Sequence, residues 1–245
     1  MHNSGNLRRA PSGSPDFRGG RDGVGKSAGV MRKGGRMNSR DAPRTRRVFA
    51  TAAMALVVLY VLVDIVLQLL PPHYSVVTDA ESDLAVGPFG WAMQVNFVAR
   101  AVMSGCVVVV VTLGTPDTWL RRTGSALLAV AGLCSAALAL LPTDVNAAGE
   151  YGMTPHTAVG FAHVVFATSG FLAVIAAMAV LTRGAGRQRA VLALFLVALA
   201  GLVLLALSLT LAPQAVGLAE RLCLGGILGW AFALCGTLRN PAEPI

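Results

Sequence analysis

Charged residues are scarce in this chain of 245 residues: they make up 13% of it, and aromatic residues only 6%. A soluble globular domain carries about 25% charged residues, so the composition excludes that class. Hydrophobic residues reach 55%, and the mean hydropathy is +0.65. The net charge of +8 would suit nucleic acid, but 12 of the 20 basic residues precede the first apolar segment. We therefore predict no nucleic-acid partner.

Familiar catalytic motifs are absent as well. The sequence contains no phosphate-binding loop, no Gly-x-Ser-x-Gly and no His-Glu-x-x-His. It has no disulfide framework and no Cys-x-x-Cys metal motif, because all four cysteines lie within apolar segments. We interpret them as small buried hydrophobic residues: Cys106, Cys134, Cys223 and Cys235.

Long hydrophobic segments are what the chain does contain. A membrane span needs about 20 apolar residues, and in lipid a single segment satisfies its own backbone hydrogen bonds only as a helix. We therefore predict an all-α fold, a polytopic integral membrane bundle of six transmembrane helices over residues 48–238. The predicted spans are about 48–70, 91–113, 125–141, 155–181, 190–212 and 216–238.

The two termini differ from this domain in composition. Residues 1–47 are rich in Gly, Ser, Arg and Asn, and such a segment buries too little surface to offset its ordering entropy. We predict a disordered basic cytoplasmic tail there, and a short cytoplasmic tail at 239–245. Met31 and Met37 stand beside Met1 as candidate translation starts.

Basic residues are distributed unevenly between the predicted loops. Cytoplasmic loops of membrane proteins carry an excess of Lys and Arg. With the N-terminal tail inside, 18 of the 20 basic residues are cytoplasmic, and the loops at 71–90 and 142–154 have none. We predict that both termini are cytoplasmic, in the plasma membrane of a bacterium.

Ionisable residues inside a span cost about 2.5–3.5 kcal/mol each and mark functional sites by default. All of those found here fall in the outer half of their spans, away from the predicted cytoplasmic side. We predict a polar pocket that opens outward and is lined by the first, second, fourth and sixth helices. Its candidate residues are Asp64, Asp83, Arg100, His156, His163, Glu220 and Arg221.

Several pairings of these residues remain open. Asp64 and Arg100 lie at similar depth, as a structural salt bridge or a functional pair. Arg221 reaches a loop carboxylate such as Asp83, or extends to the membrane interface. His156 and His163 are seven residues apart and share a helical face. Their separation along the axis is about 10 Å, so we predict no metal site and no cofactor.

Three short motifs resemble an uncharacterised bacterial family, domain of unknown function 998. The first is Ser82-Asp-Leu-Ala-Val-Gly-Pro-Phe-Gly-Trp91, the second is His156 with Gly160, and the third is Gly217-Leu-Ala-Glu-Arg221. The resemblance implies a six-helix bacterial membrane protein, and Glu81 stands where the family pattern leads us to expect an apolar residue. No established activity comes with the family. Four candidate residues carry over as motif positions without roles: Asp83, His156, Glu220 and Arg221.

Three functions compete. We favour a protein without enzymatic activity that binds a lipid, a small molecule or a partner in the outward pocket. The first alternative is an intramembrane hydrolase or transferase with Asp83 or Glu220 as general base and His156 as its partner or as a metal ligand. The second is a proton-coupled transporter in which Asp64 and His163 take up protons. Membrane lipids are the expected partners in each case, and a protein partner stays open.

Overall fold

The fold is built from helices alone in the part of the chain that the computed structural model describes, residues 41–72, 74–146, 151–184 and 188–240. This confirms the predicted all-α class. Two short 3₁₀ helices, Glu81–Ala85 and Pro213–Ala215, lie in the connections. The long helices are α1 (Asp41–Leu69), α2 (Gly90–Gly114), α3 (Trp119–Leu138), α4 (Ala158–Gly184), α5 (Arg189–Leu211) and α6 (Val216–Arg239).

Helix α1 begins at Asp41, seven residues before the predicted span and inside the segment expected to be a disordered tail. An acidic residue in the first turn favours a helix start because it opposes the helix dipole. Pro43 follows in that turn, where proline is tolerated. Residues 1–40 and 241–245 of the two predicted tails lie outside the described residues.

The six helices run alternately up and down. Consecutive helices from α1 to α4 pack side by side, α6 packs on α1 and α5, and α4 makes sparser contact with α5. Glycine lets α5 and α6 approach closely, because a Cβ at Gly226 would lie only 2.4 Å from the Ala198 nitrogen. Small residues at such contacts are typical of helix packing in lipid, where close van der Waals packing replaces the hydrophobic effect.

Five of the helices are long and apolar enough to cross a membrane: α1, α2, α4, α5 and α6. Helix α3 falls short because Arg121 and Arg122 occupy its first turn. Large apolar side chains face outward on the bundle, including Leu133, which is 72% exposed. An apolar exterior of this extent is expected for a surface in contact with lipid.

The two ends of the bundle carry opposite charges. The end formed by the N-termini of α1, α3 and α5, here called the basic end, carries arginines in the first or last turns of its helices. The opposite end, here called the acidic end, carries the α1–α2 loop, the α3–α4 loop and the α5–α6 turn. The described acidic residues of its loops are Asp79, Glu81, Asp83 and Asp144.

Candidate functional site

The α1–α2 loop folds onto the N-terminal turns of α6 and is fastened there by Arg221. The Arg221 Nη1 donates to the carbonyl oxygens of Asp79, at 2.8 Å, and Val76, at 3.2 Å. The Leu218 nitrogen donates to the carbonyl of Val77 at 3.1 Å. Arg221 therefore binds backbone carbonyls of the loop, whereas the sequence analysis had left open a loop carboxylate or the membrane interface.

Glycines make this contact possible. A Cβ at Gly217 would lie 2.3 Å from the Asp79 carbonyl oxygen. Within the loop itself, a Cβ at Gly90 would lie 2.2 Å from the Ala85 carbonyl oxygen, and Gly87 has a φ of 90°, which favours glycine. The segment that precedes the loop motif, residues 76–79, thus docks on the Gly217–Arg221 motif.

The 3₁₀ helix Glu81–Ala85 lies at the acidic end and carries two carboxyl groups, those of Glu81 and Asp83. The Asp83 carboxylate accepts a hydrogen bond from the Ala80 nitrogen at 3.1 Å, which caps this short helix. The Glu220 carboxylate accepts from the Glu81 nitrogen at 2.7 Å and so ties the loop to α6. Burial, together with the charges of Glu220 and Asp79, raises the pKa of Asp83 to about 7.

Glu81 was missed as a site residue by the sequence analysis. Its side chain is only 4% exposed and lines the cavity described next. Burial, followed by the nearby carboxylates of Asp64 and Glu220, raises its pKa to about 8. The available signal was its position directly before the loop motif, where the family pattern led us to expect an apolar residue, because an apolar position predicts a buried side chain.

A cavity of about 160 Å³ lies beneath this loop. It is lined by α2, α3, α4, α5, α6, the α1–α2 loop and the α3–α4 loop, whereas the sequence predicted walls from the first, second, fourth and sixth helices. No described residue of α1 lines it. The polar lining is concentrated at the acidic end: Glu81, Ser82, Arg100, Ser135, Thr143, His163 and Glu220.

Toward the basic end the lining becomes apolar. Val107, Leu128, Ile227 and Trp230 surround the deeper part. The indole nitrogen of Trp230 is occupied by a hydrogen bond to Thr182 at 2.9 Å. Ten residues of helix separate Glu220 from Trp230, or about 15 Å at 1.5 Å per residue. The cavity is therefore amphipathic along its length.

Arg100 projects into the polar part of the cavity. Its Nε donates to the Ser135 hydroxyl at 2.8 Å, and its Nη1 lies 3.5 Å from the Tyr60 hydroxyl. Its guanidinium also lies over the rings of Phe97 and Tyr60, at 5.3 and 5.7 Å from their centroids. The expected pair with Asp64 is not formed, since among the described residues Arg100 has no carboxylate partner in an ion pair.

His163 faces the same cavity from α4 and is 2% exposed. Its Nδ1 lies 2.6 Å from the Leu141 carbonyl oxygen. Only a protonated nitrogen can donate to a carbonyl, so this contact places the proton of the neutral ring on Nδ1. The Nε2 of the neutral ring is then a hydrogen-bond acceptor.

His156 and Asp64 do not line the cavity. Helix α4 begins at Ala158 rather than near 155, so His156 precedes it, is exposed and does not share a helical face with His163. The Asp64 carboxylate accepts instead from Gln68 on the same helix at 2.6 Å. No three His, Cys, Asp or Glu residues in the described ranges are arranged to hold a metal ion.

The His156 and Gly160 motif has a structural explanation. The Asp144 carboxylate accepts hydrogen bonds from the backbone nitrogens of His156 and Thr157, both at 2.7 Å, and so caps α4. These bonds to the charged form hold the pKa of Asp144 below its ordinary value. A Cβ at Gly160 would lie 2.1 Å from this carboxylate, so glycine leaves the space that the cap occupies.

Hydrophobic helices with an apolar exterior define a multi-pass membrane protein. Residues 48–237 match the family described as "Protein of unknown function (DUF998)". The match covers most of the chain, and the protein belongs to this family, which confirms the resemblance seen in its motifs. No curated protein and no solved structure matches the chain.

Proposed function

We propose that this protein binds a single-chain amphiphilic lipid in the cavity, with the polar head at the acidic end. The observation that carries the proposal is the gradient of the lining, from Arg100, His163 and Glu220 to a predominantly apolar interior over about 15 Å. Binding sites for small molecules are mostly apolar, with a few placed polar groups that fix orientation. An amphiphile matches both parts of this lining.

Access from the membrane supports a lipid rather than a water-soluble ligand. Phe166 and Leu209 line the cavity and are 39% and 44% exposed. These residues belong to α4 and α5, the neighbouring helices that touch each other sparingly. A ligand can therefore enter sideways between α4 and α5, while the docked α1–α2 loop covers the acidic end.

The proposal includes six spans, with α3 as the third, and cytoplasmic termini in a bacterial plasma membrane. The arginines at the basic end support this orientation. Exposed residues at opposite ends of the bundle test it: in intact cells an impermeant thiol reagent should label Val145→Cys and spare Trp119→Cys. The four native cysteines are buried, so the unaltered protein is the blank. If only Trp119→Cys is labelled, the protein has the opposite orientation in the membrane.

The two alternatives receive less support from the geometry. Neither Asp83 nor His156 lines the cavity, so a hydrolase using them lacks a shared site. A proton path through the bundle needs ionisable groups in its deeper half. Among the described lining residues, Asp, Glu, His and Arg occur only at the polar part.

Filling the cavity tests binding directly. Ala131 lines the cavity and is 8% exposed, whereas its neighbour Val130 faces outward and is 47% exposed. We expect Ala131→Phe to abolish retention of a single-chain lipid in native mass spectrometry, because the new ring occupies the cavity. Val130→Phe is the matched control and should bind like the unaltered protein. Equal binding by both variants, each folded, would place the lipid elsewhere and contradict the proposal.

A further inference from the structure

Only part of the Arg100 guanidinium is hydrogen-bonded. Nε and Nη1 contact Ser135 and Tyr60, and the second terminal nitrogen, Nη2, makes no hydrogen bond to any residue that the structure describes. A cation within a membrane-spanning helix is costly unless it is paired. Here it stands in a cavity, held in position by a hydroxyl and two aromatic rings. Such a group is prepared to receive an oxyanion.

Of the carboxyl groups near this cation, one is uncharged at neutral pH and another is already hydrogen-bonded to the loop. The ionisable side chains whose charges act on or near Arg100 are Tyr60, Asp64, Glu81, Glu220 and His163. Glu81, with its pKa raised to about 8, is mostly protonated and uncharged at neutral pH. The Glu220 carboxylate is engaged by the Glu81 nitrogen.

His163 narrows the chemistry of the head group. His163 lines the cavity, and in its neutral form the bond from Nδ1 to Leu141 leaves Nε2 as a hydrogen-bond acceptor. A head that accepts from Arg100 and carries a titratable proton of its own satisfies both residues. The monoanion of a phosphate monoester has both groups, and a carboxylic acid becomes the carboxylate that Arg100 binds when its proton passes to Nε2 of His163, whereas simple alcohols offer no anionic oxygen.

The volume limits the tail. A cavity of about 150 Å³ holds one benzene molecule, and the cavity here is about 160 Å³. It admits part of one alkyl chain but not the two chains of a phospholipid. We propose that the polar end of the cavity is an anion site, in which Arg100 binds the carboxylate or phosphate head of a single-chain lipid. This inference rests on the proposed function.

The test compares ligands with the same chain and different heads. The full chain, purified in a sterol-based detergent that offers no single alkyl chain, is titrated with dodecanoate, dodecyl phosphate and dodecanol. Because a charge-assisted hydrogen bond contributes about 1.5–3 kcal/mol, at least one anionic ligand should bind about tenfold or more tightly than dodecanol. Whichever of the two binds more tightly identifies the head.

Variants separate the head-group inference from lipid binding. We expect Arg100→Gln to reduce anion affinity to that of dodecanol and Arg100→Lys to restore part of it. Ser104→Ala is the control, because Ser104 lines the cavity while its hydroxyl bonds only to the Arg100 carbonyl. If Arg100→Gln does not fold, the comparison of the three ligands on the unaltered protein still tests whether the site prefers an anionic head.

Each outcome has a distinct meaning. Equal affinity for dodecanol and both anions would overturn the anion site and leave lipid binding intact. No binding of any chain would overturn the proposed function itself. A last titration uses acetate or inorganic phosphate, which carry no alkyl chain. If either binds as tightly as the anions that carry a chain, the site is one for a free anion and the lipid proposal is refuted. Chain-dependent anion binding lost in Arg100→Gln supports the inference.

Discussion

Glu81 should make the stability of this protein depend on pH in a direction opposite to that of most carboxylates. Its pKa is raised from 4.5 to about 8 because it is buried near Asp64 and Glu220. Between these two values the folded protein holds a proton that the unfolded chain releases. The free energy of unfolding therefore falls as pH rises, by about 1.4 kcal/mol per pH unit.

The whole effect, from pH 4.5 to 8, is on the order of 5 kcal/mol. It ends above pH 8, where the buried carboxylate is ionised in the folded protein as well. Glu81→Gln keeps the size and the backbone bond to Glu220 but removes the titration. We expect the variant to lose most of this slope and to exceed the unaltered protein in stability at pH 8 and above.

The assay is thermal unfolding from pH 5 to 9, followed by circular dichroism in detergent. Asp83→Asn should flatten the profile at lower pH, because the pKa of Asp83 is raised only to about 7. Asp117→Asn is the control: Asp117 is exposed and paired with Arg122 and Arg121, which lower its pKa, so its loss should leave the slope from pH 5 to 9 unchanged. Parallel profiles for Glu81→Gln and the unaltered protein would refute the reasoning.

Three further predictions concern the packing that positions the site. Gly226→Ala should strongly reduce the yield of folded protein in size-exclusion chromatography, because the new Cβ would lie 2.4 Å from the α5 backbone. Gly225→Ala is the control and should not reduce the yield, because its Cβ would have nothing within 4 Å. Equal yields of the two variants would contradict this close packing of α5 and α6. Gly160→Ala should displace the Asp144 cap and lower the free energy of unfolding by about 0.5–2 kcal/mol. When Asp144→Ala is already present, Gly160→Ala should lower it little further, because the carboxylate that the new Cβ would meet is gone. Fully additive losses of stability in thermal unfolding would argue against a shared cap. Arg221→Gln should speed hydrogen exchange in the α1–α2 loop, because two carbonyl bonds are weakened, and unchanged exchange would show that this arginine does not fasten the loop.

The helical class, the apolar segments and the family could be predicted from the sequence because each depends on local composition. Runs of apolar residues specify helices in lipid wherever they occur. The loop motif could likewise be recognised because Gly87 has a backbone geometry that few other residues adopt and Gly90 allows a close backbone approach. Arg100, His163 and Glu220, which the sequence analysis grouped by their depth along the helices, are all among the residues that line the cavity.

Depth did not predict which side chains meet, because that depends on how each helix is rotated and on where it begins. Asp64 and Arg100 lie at similar levels, yet Asp64 bonds within its own helix and Arg100 bonds to α3. His156 is not part of the site because α4 begins two residues after it, at Ala158.

The chain's apolar runs, charge bias and motifs determined by themselves that this is a helical membrane protein of its family, since transfer of backbone and charge into lipid is governed by local composition. Only the tertiary structure decided that Glu81 is a buried acid above an amphipathic cavity and that Arg221 fastens a loop. Those properties arise from contacts between residues as far apart as Glu81 and Glu220, and a contact across 139 residues of chain depends on the packing of whole helices.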